Sequence, residues 1–357
     1  MKNRAHPQGQ SQFYFFLIFL AVCLLIVVIN FRFSEPDLNL QEYKVKTHKG
    51  FITMEELNEN VYKTFGYKII RPTYPVPTVK MVAEPTCSEI FSGWREVSEQ
   101  PQPTFPPQEI PEDRLHEFLL NNYTALGPYY VNDKNADDGE KPRNWDNLSE
   151  MIKWPKEKLG GQAYGNEGLS VYHAMQSHRL DGMSGVVIGS MQPWVEVSAL
   201  VNGASKILTV EYFKLEIQEE FRDRMSSILP IDFASNWERY ASTFDFAVSF
   251  SSIEHSGLGR YGDPIDPIGD IREMLKIKCV LKPGGLLFIG FPLGTDALPY
   301  NAHRIYGSVR LAMMFAGFEW IDTFTGESEQ PLDLTSERLH AKPLFGFIQN
   351  TIVLRKL

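Results

Sequence analysis

The chain has 357 residues, with 35 Lys and Arg against 44 Asp and Glu, a formal charge of −9. An apolar share of 43% beside 22% charged residues is that of a globular protein and excludes wholesale disorder and fibrous repeats. The first 34 residues hold Lys2, Arg4 and Arg32 and no acid, so the rest carries −12. Such an acidic body argues against nucleic acid as a partner, because duplex binding leans on a basic face that neutralises phosphates.

After a short tail, 1–12, Phe13 to Ile29 is an unbroken apolar run of 17 residues. At about 1.5 Å per residue it reaches about 26 Å, close to a hydrocarbon core. Residues 13–33 are expected to form a transmembrane anchor in a lipid bilayer. A cleaved signal peptide is the competing reading, but Asn30-Phe31-Arg32-Phe33 offers no small-residue cleavage site. Lys2 and Arg4 before the span favour a single-pass type II signal-anchor with a lumenal body in the endoplasmic reticulum or Golgi. Lys44, Lys46 and Lys49 dilute that bias and keep a cytosolic body as the alternative. Two glycosylation triplets, Asn122-Tyr123-Thr124 and Asn147-Leu148-Ser149, support a lumenal glycoprotein. Outside the span there are only Cys87 and Cys279, enough for one bridge at most.

Residues 34–111 read as a proline-rich stem or as a strap laid on the body. Thr53-Met54-Glu55-Glu56 has the capping-box pattern that starts a short helix, and the prolines from Pro72 to Pro111 forbid long helices and central strands. Residues 112–153 are expected as a helix, Pro111 to Tyr123, and a polar loop. Strands and helices then alternate within 154–357. The expected strands are 185–189, 206–210, 244–250, 286–291 and 348–354. The expected helices are 194–201, 213–225, 268–280 and 308–315. This alternation implies an α/β fold with a mainly parallel sheet and helices on both faces, whose ligands sit beyond the C-terminal strand ends.

At those ends, Gly189 and Ser190 form a turn that lets backbone approach a ligand. It can equally be a plain strand-to-helix turn. Glu211 ends the second strand, where an acid accepts hydrogen bonds from ribose hydroxyls or merely opens a helix. Ser251 to His255 ends the third. There His255 is a candidate general base or a histidine hydrogen-bonded in a loop. Arg260, in a glycine-rich loop, would clamp a carboxylate or phosphate. His303, with Arg304 and Tyr306, lines the same mouth or caps the next helix. Asp263, Asp266 and Asp270 fit helix caps better than a metal site, with Asp266-Pro267 as N-cap and Asp270 with Glu273 as a capping box.

The segments VVIGS, LTVEY, FDFAVSFSSIEH and LKPGGLLFIGFP resemble the strand-end motifs of class I S-adenosylmethionine-dependent methyltransferases. GSMQPWVE, SSIEHSGLGRYGDPIDPIGD and HRIYG resemble an uncharacterised Caenorhabditis family of unknown function that is itself methyltransferase-like. The resemblance covers about Trp154 to Thr325. It implies a Rossmann-like, methyltransferase-type sheet and S-adenosylmethionine as cofactor, with Gly189, Ser190, Glu211 and Ser251 facing it and Asp232 near the adenine. The chain departs from the methyltransferase pattern at Val187, where an acid usually holds the methionine amino group, and at Met191 and Pro193, where glycines are usual.

These features lead to a membrane-anchored methyltransferase-like protein that methylates an oxygen or nitrogen of a small molecule or glycan. His255 would deprotonate the acceptor, and Arg260 with His303 would position it. The alternatives are a lumenal glycosyltransferase-like enzyme, for which no Asp-x-Asp occurs, and a non-catalytic binding module that kept the fold and lost the cofactor. A serine hydrolase is disfavoured because no Gly-x-Ser-x-Gly elbow occurs.

Overall fold

Residues 39–101, 104–133 and 142–357 are described by a computed structural model. The expected anchor, 13–33, lies outside them. Among the described residues no helix is long and apolar enough to cross a membrane.

Seven strands build the central sheet: β1 (Ser184–Ile188), β2 (Lys206–Val210), β3 (Met225–Ile228), β4 (Phe244–Phe250), β5 (Leu281–Gly294), β6 (Phe318–Phe324) and β7 (Phe347–Lys356). Their order is β3-β2-β1-β4-β5-β7-β6. All neighbours from β3 to β5 pair in parallel, while β7 pairs antiparallel with both β5 and β6. The sheet is thus mixed, with one strand reversed. The order changes direction between β1 and β4, where Val186 lies opposite Ala247. A crevice opens at such a switch point, because the flanking connections leave to opposite sides.

Side chains alternate across the sheet, as the two-residue strand period demands. Val186, Ala247, Ile289 and Ile352 enter one core, and Val187, Val248, Phe288 and Val353 enter the other. Helices α2 (Lys156–Tyr164), α3 (Asn166–His178) and α4 (Trp194–Val201) cover the second core. The first core is covered by α1 (Cys87–Ser98), α5 (Gly269–Val280) and α6 (Ser308–Met314).

The proline-rich segment supplies much of that first core. Val45, Met54, Leu57, Tyr62, Phe91 and Trp94 are all buried in it. Phe91 stacks on Trp237 with centroids 5.5 Å apart, and Cys87 is disulfide-bonded to Cys279 on α5. Glu84 pairs with Lys278 beside that bridge. From Leu40 on, these residues and the sheet form one unit. Helix α1 starts with a true capping box, in which Thr86 Oγ1 accepts from Glu89 N and Glu89 returns to Thr86 N.

Three expectations change. The helix expected over 213–225 is a short strand Leu215–Ile217, a turn, and then β3. Leu215–Ile217 pairs with Arg143–Trp145, a partner seventy residues earlier that overrides the local charge pattern. The expected helix from Pro111 to Tyr123 is only a 3-10 turn and Leu115–Phe118, ended by left-handed Leu120, Asn121 and Asn122. Asp266 and Asp270 do not cap α5 as expected. The helix begins at Gly269 with Ile268 at its N-cap and no side-chain cap bond.

Candidate functional site

A cleft of about 330 Å³ lies at the switch point, formed by the ends of β1, β2 and β4. Its volume falls in the range of small-molecule sites, roughly 300–1,000 Å³. Gly189 closes β1 at φ +74°, and a Cβ there would stand 2.0 Å from Ser252 Oγ. Only glycine lets the β1 and β4 turns meet this closely.

Ser190 ties two acids together beneath the cleft. Its backbone N donates to Glu211 Oε2 at 2.6 Å, and its hydroxyl donates to Glu196 Oε2 at 3.0 Å. Glu196 also accepts from Thr209 Oγ1 at 2.9 Å. It is fully buried in the first turn of α4, and that burial pushes its carboxyl up to about 7. Burial likewise raises Glu211, opposed by backbone donors from Ser190, Tyr212 and Phe213. A carboxylate offers about four acceptor positions, so Glu211 keeps capacity for one more donor at the cleft wall. The walls are ring-rich: Tyr164, Trp194, Tyr212, Phe213, Phe250 and Tyr261 line them. Tyr164 meets Phe250 edge-on at 5.2 Å.

At the other end, Ser251 sits at φ +52° and donates to Glu254 Oε1 at 2.9 Å. Glu254 and His255 share a 3-10 turn. His255 reaches the cleft, while Glu254 is buried behind it with Oε2 unpartnered among the described residues. Burial pushes Glu254 up to about 7. His255 Nδ1 bonds the carbonyl of Ala302 at 2.6 Å. A carbonyl only accepts, so Nδ1 carries the hydrogen and Nε2 the lone pair. Nε2 stands 3.8 Å from Glu254 Oε1. Burial, then the nearby Arg260 charge, lowers His255 to about 3, so it is neutral and a weak base at physiological pH.

The other expected residues are placed differently. Arg260 donates to Asp133 Oδ2 at 2.6 Å and to the same Ala302 carbonyl at 3.0 Å, outside the cleft lining. His303 lies one layer back, with its ring on Phe347 at 5.3 Å and its Nε2 buried and unpartnered among the described residues. Asp232 is exposed on the short helix Pro230–Ser235 and does not line the cleft, although Pro230 does. Asp263 closes the glycine-rich loop, accepting from the backbone N of Gly257, Leu258 and Gly259. Val187 points into the second core, so no acid replaces the missing one at that strand position.

What sets the far end in place is a buried ionic cluster. Asp270 accepts two bonds from Arg310, at 2.6 and 2.7 Å, and one from Tyr306 at 3.1 Å. Arg304 Nε lies 3.6 Å from the same carboxylate, and its guanidinium donates to the Ser256 carbonyl at 2.6 Å. Burial would raise Asp270, but Arg304 and Arg310 overcome it and hold the carboxyl below its usual range.

Glu196 and the Asp270 cluster were missed by sequence reasoning. Glu196 had a signal, since it is the lone acid in Trp194–Val201, a helix otherwise apolar nearly all round.

Residues 182–357 match the family model DUF268, described as a Caenorhabditis protein of unknown function. No curated protein matches the chain. Among solved structures it is similar to a Burkholderia thailandensis 1,6-didemethyltoxoflavin-N1-methyltransferase with bound 1,6-didemethyltoxoflavin and S-adenosylhomocysteine. That match has 15% identity and TM-score 0.36, covering 52% of this chain and 76% of that one. A Mesorhizobium loti S-adenosylmethionine-dependent methyltransferase has 14% identity and TM-score 0.33, covering 54% and 100%. The [4+2]-cyclase SpnF has 16% identity and TM-score 0.35, covering 55% and 84%. Likenesses this faint leave the chemistry of the cleft to be read from its own residues.

Proposed function

We propose that this protein is a membrane-anchored, methyltransferase-like enzyme that binds S-adenosylmethionine in the switch-point cleft. The observation that carries the reading is Glu211, a buried carboxylate at the end of β2, bonded to Ser190 N and keeping an acceptor position toward the cleft. In this reading Glu211 would hold the ribose hydroxyls, the Gly189–Ser190 turn would take the chain of the cofactor, and Phe213 and Pro230, which line the cleft, would take the adenine in place of Asp232. When bound, the cofactor supplies an activated methyl group. Residues 13–33 hold the enzyme in the bilayer, and the acceptor is an oxygen or nitrogen of a small molecule or glycan.

The acceptor end supports a proton-handling pair. With the cofactor and an acceptor bound, His255 Nε2, which carries the lone pair, would accept a hydrogen bond from the acceptor hydroxyl or amine and take its proton during methyl transfer. Glu254, 3.8 Å away, stabilises that charge once ionised. Ionisation of Glu254 near pH 7 therefore governs the rate, and the Glu254→Gln variant should lose the corresponding inflection.

A second reading, a binding module without catalysis, is favoured by Val187 in the core and by Arg260 being already paired with Asp133. A thermal-shift panel on the full chain in detergent separates the readings. Methyltransferase function predicts stabilisation by S-adenosylmethionine and S-adenosylhomocysteine and none by nucleotide sugars. Stabilisation by a nucleotide sugar alone would replace it with a glycosyltransferase-like reading, and response to none would favour the module.

A further inference from the structure

The chain's two Asn-X-Ser/Thr triplets begin at Asn122 and Asn147. Both asparagines are exposed. Asn122 is the last of three left-handed residues in the turn before the strand Ala125–Pro128. Its neighbour Asn121, which begins no triplet, bonds the Asn60 carbonyl through its amide. Asn147 occupies the N-cap of the helix Leu148–Met151, where asparagine commonly caps, yet its side chain makes no cap bond. Neither residue lines the cleft.

A second, independent observation concerns the compartment. Cys87 and Cys279, 192 residues apart in sequence, are joined, and they tie the strap helix α1 to α5. Disulfides form and persist in oxidising compartments and are rare where thiols are kept reduced. The same compartment attaches N-linked glycans.

We infer that Asn122 and Asn147 carry N-linked glycans and that the α/β body folds in the oxidising lumen with the Cys87–Cys279 bridge formed. The order of events follows from burial. Thr124 is buried, with its hydroxyl unpartnered among the described residues. The Asn122 triplet is thus readable only before the body closes, whereas the half-buried Ser149 leaves the Asn147 triplet open longer.

The test is expression of the full chain in animal cells, followed by peptide N-glycosidase digestion and peptide mass analysis. Two discrete mobility shifts are expected, one lost in Asn122→Asp and the other in Asn147→Asp. Aspartate tolerates the left-handed turn and the cap, so folding is preserved. Ser149→Ala should remove the second glycan without touching Asn147. Alkylation before and after reduction should find Cys87 and Cys279 blocked until reduced. Unmodified asparagines at both sites, or Cys87 and Cys279 alkylated without reduction, would overturn the assignment; Cys23 lies outside the pair and is expected to alkylate either way. A silent single site would overturn it at that site.

Discussion

The two ends of the cleft are built on different principles. The β1–β2 end is made from strand termini close in sequence: Gly189 and Ser190 meet Glu211 about twenty residues on, and backbone donors do most of the work. At the far end, by contrast, residues 251–263 are held by Asp270, Arg304 and Arg310 from α5, the segment before α6, and α6 itself. The first end is set by local geometry and the second by long-range charge pairing. A local end tolerates change elsewhere in the fold, whereas the far end fails if one buried charge is removed.

The largest expected effect is therefore at Asp270. Asp270→Asn removes the carboxylate shared by two buried guanidinium groups and should cost about 3–5 kcal/mol in urea unfolding. Affinity for S-adenosylhomocysteine should change little, because the β1–β2 end does not depend on the cluster. An equal loss of both would show that the ends are one unit. The pH dependence has a defined sign. The lowered folded pKa of Asp270 contributes stability that is present above the ordinary carboxylate value and is lost as pH falls through the folded value.

Gly189→Val attacks the local end. A side chain at φ +74° and 2.0 Å from Ser252 Oγ should weaken cofactor binding at least ~100-fold, about 2.7 kcal/mol. The Asp270 cluster should be untouched.

The buried acids provide a third contrast. Glu254 keeps its proton to about pH 7 in the fold but releases it near the ordinary carboxylate value when unfolded. Stability therefore falls as pH rises through that window. Glu254→Gln should flatten the decline and be about 1–2 kcal/mol more stable than the parent at pH 8. The smallest effect on affinity is expected at Glu211→Gln, which would weaken the proposed ribose contact and set its NH2 group against one of the two backbone N–H groups that Glu211 accepts. It should cost about 1 kcal/mol of cofactor affinity, read by equilibrium titration.

The same division explains what was legible in the sequence. The strands Lys206–Val210 and Phe244–Phe250 and the helix Trp194–Val201 are continuous apolar runs bounded by turn residues, and their bounds follow directly. Gly189, Glu211, Ser251 and His255 were findable because a switch point assigns strand-end residues to the cleft. Arg260 looked free because its partner Asp133 lies 127 residues away. Asp270 looked like a cap because Arg310 lies 40 residues on. The prolines of residues 34–111 leave a stem and a docked strap both open in the sequence, because Phe91, Trp94 and Tyr62 are core residues whose partners lie far along the chain.

The central claim, that the switch-point cleft holds S-adenosylmethionine through Gly189, Ser190 and Glu211, is tested most directly by calorimetric titration of the full chain in detergent with S-adenosylhomocysteine. One-to-one binding that disappears in Gly189→Val and persists in Asp270→Asn under native conditions is the predicted result. No heat of binding at millimolar ligand, or binding unchanged in Gly189→Val, would contradict it.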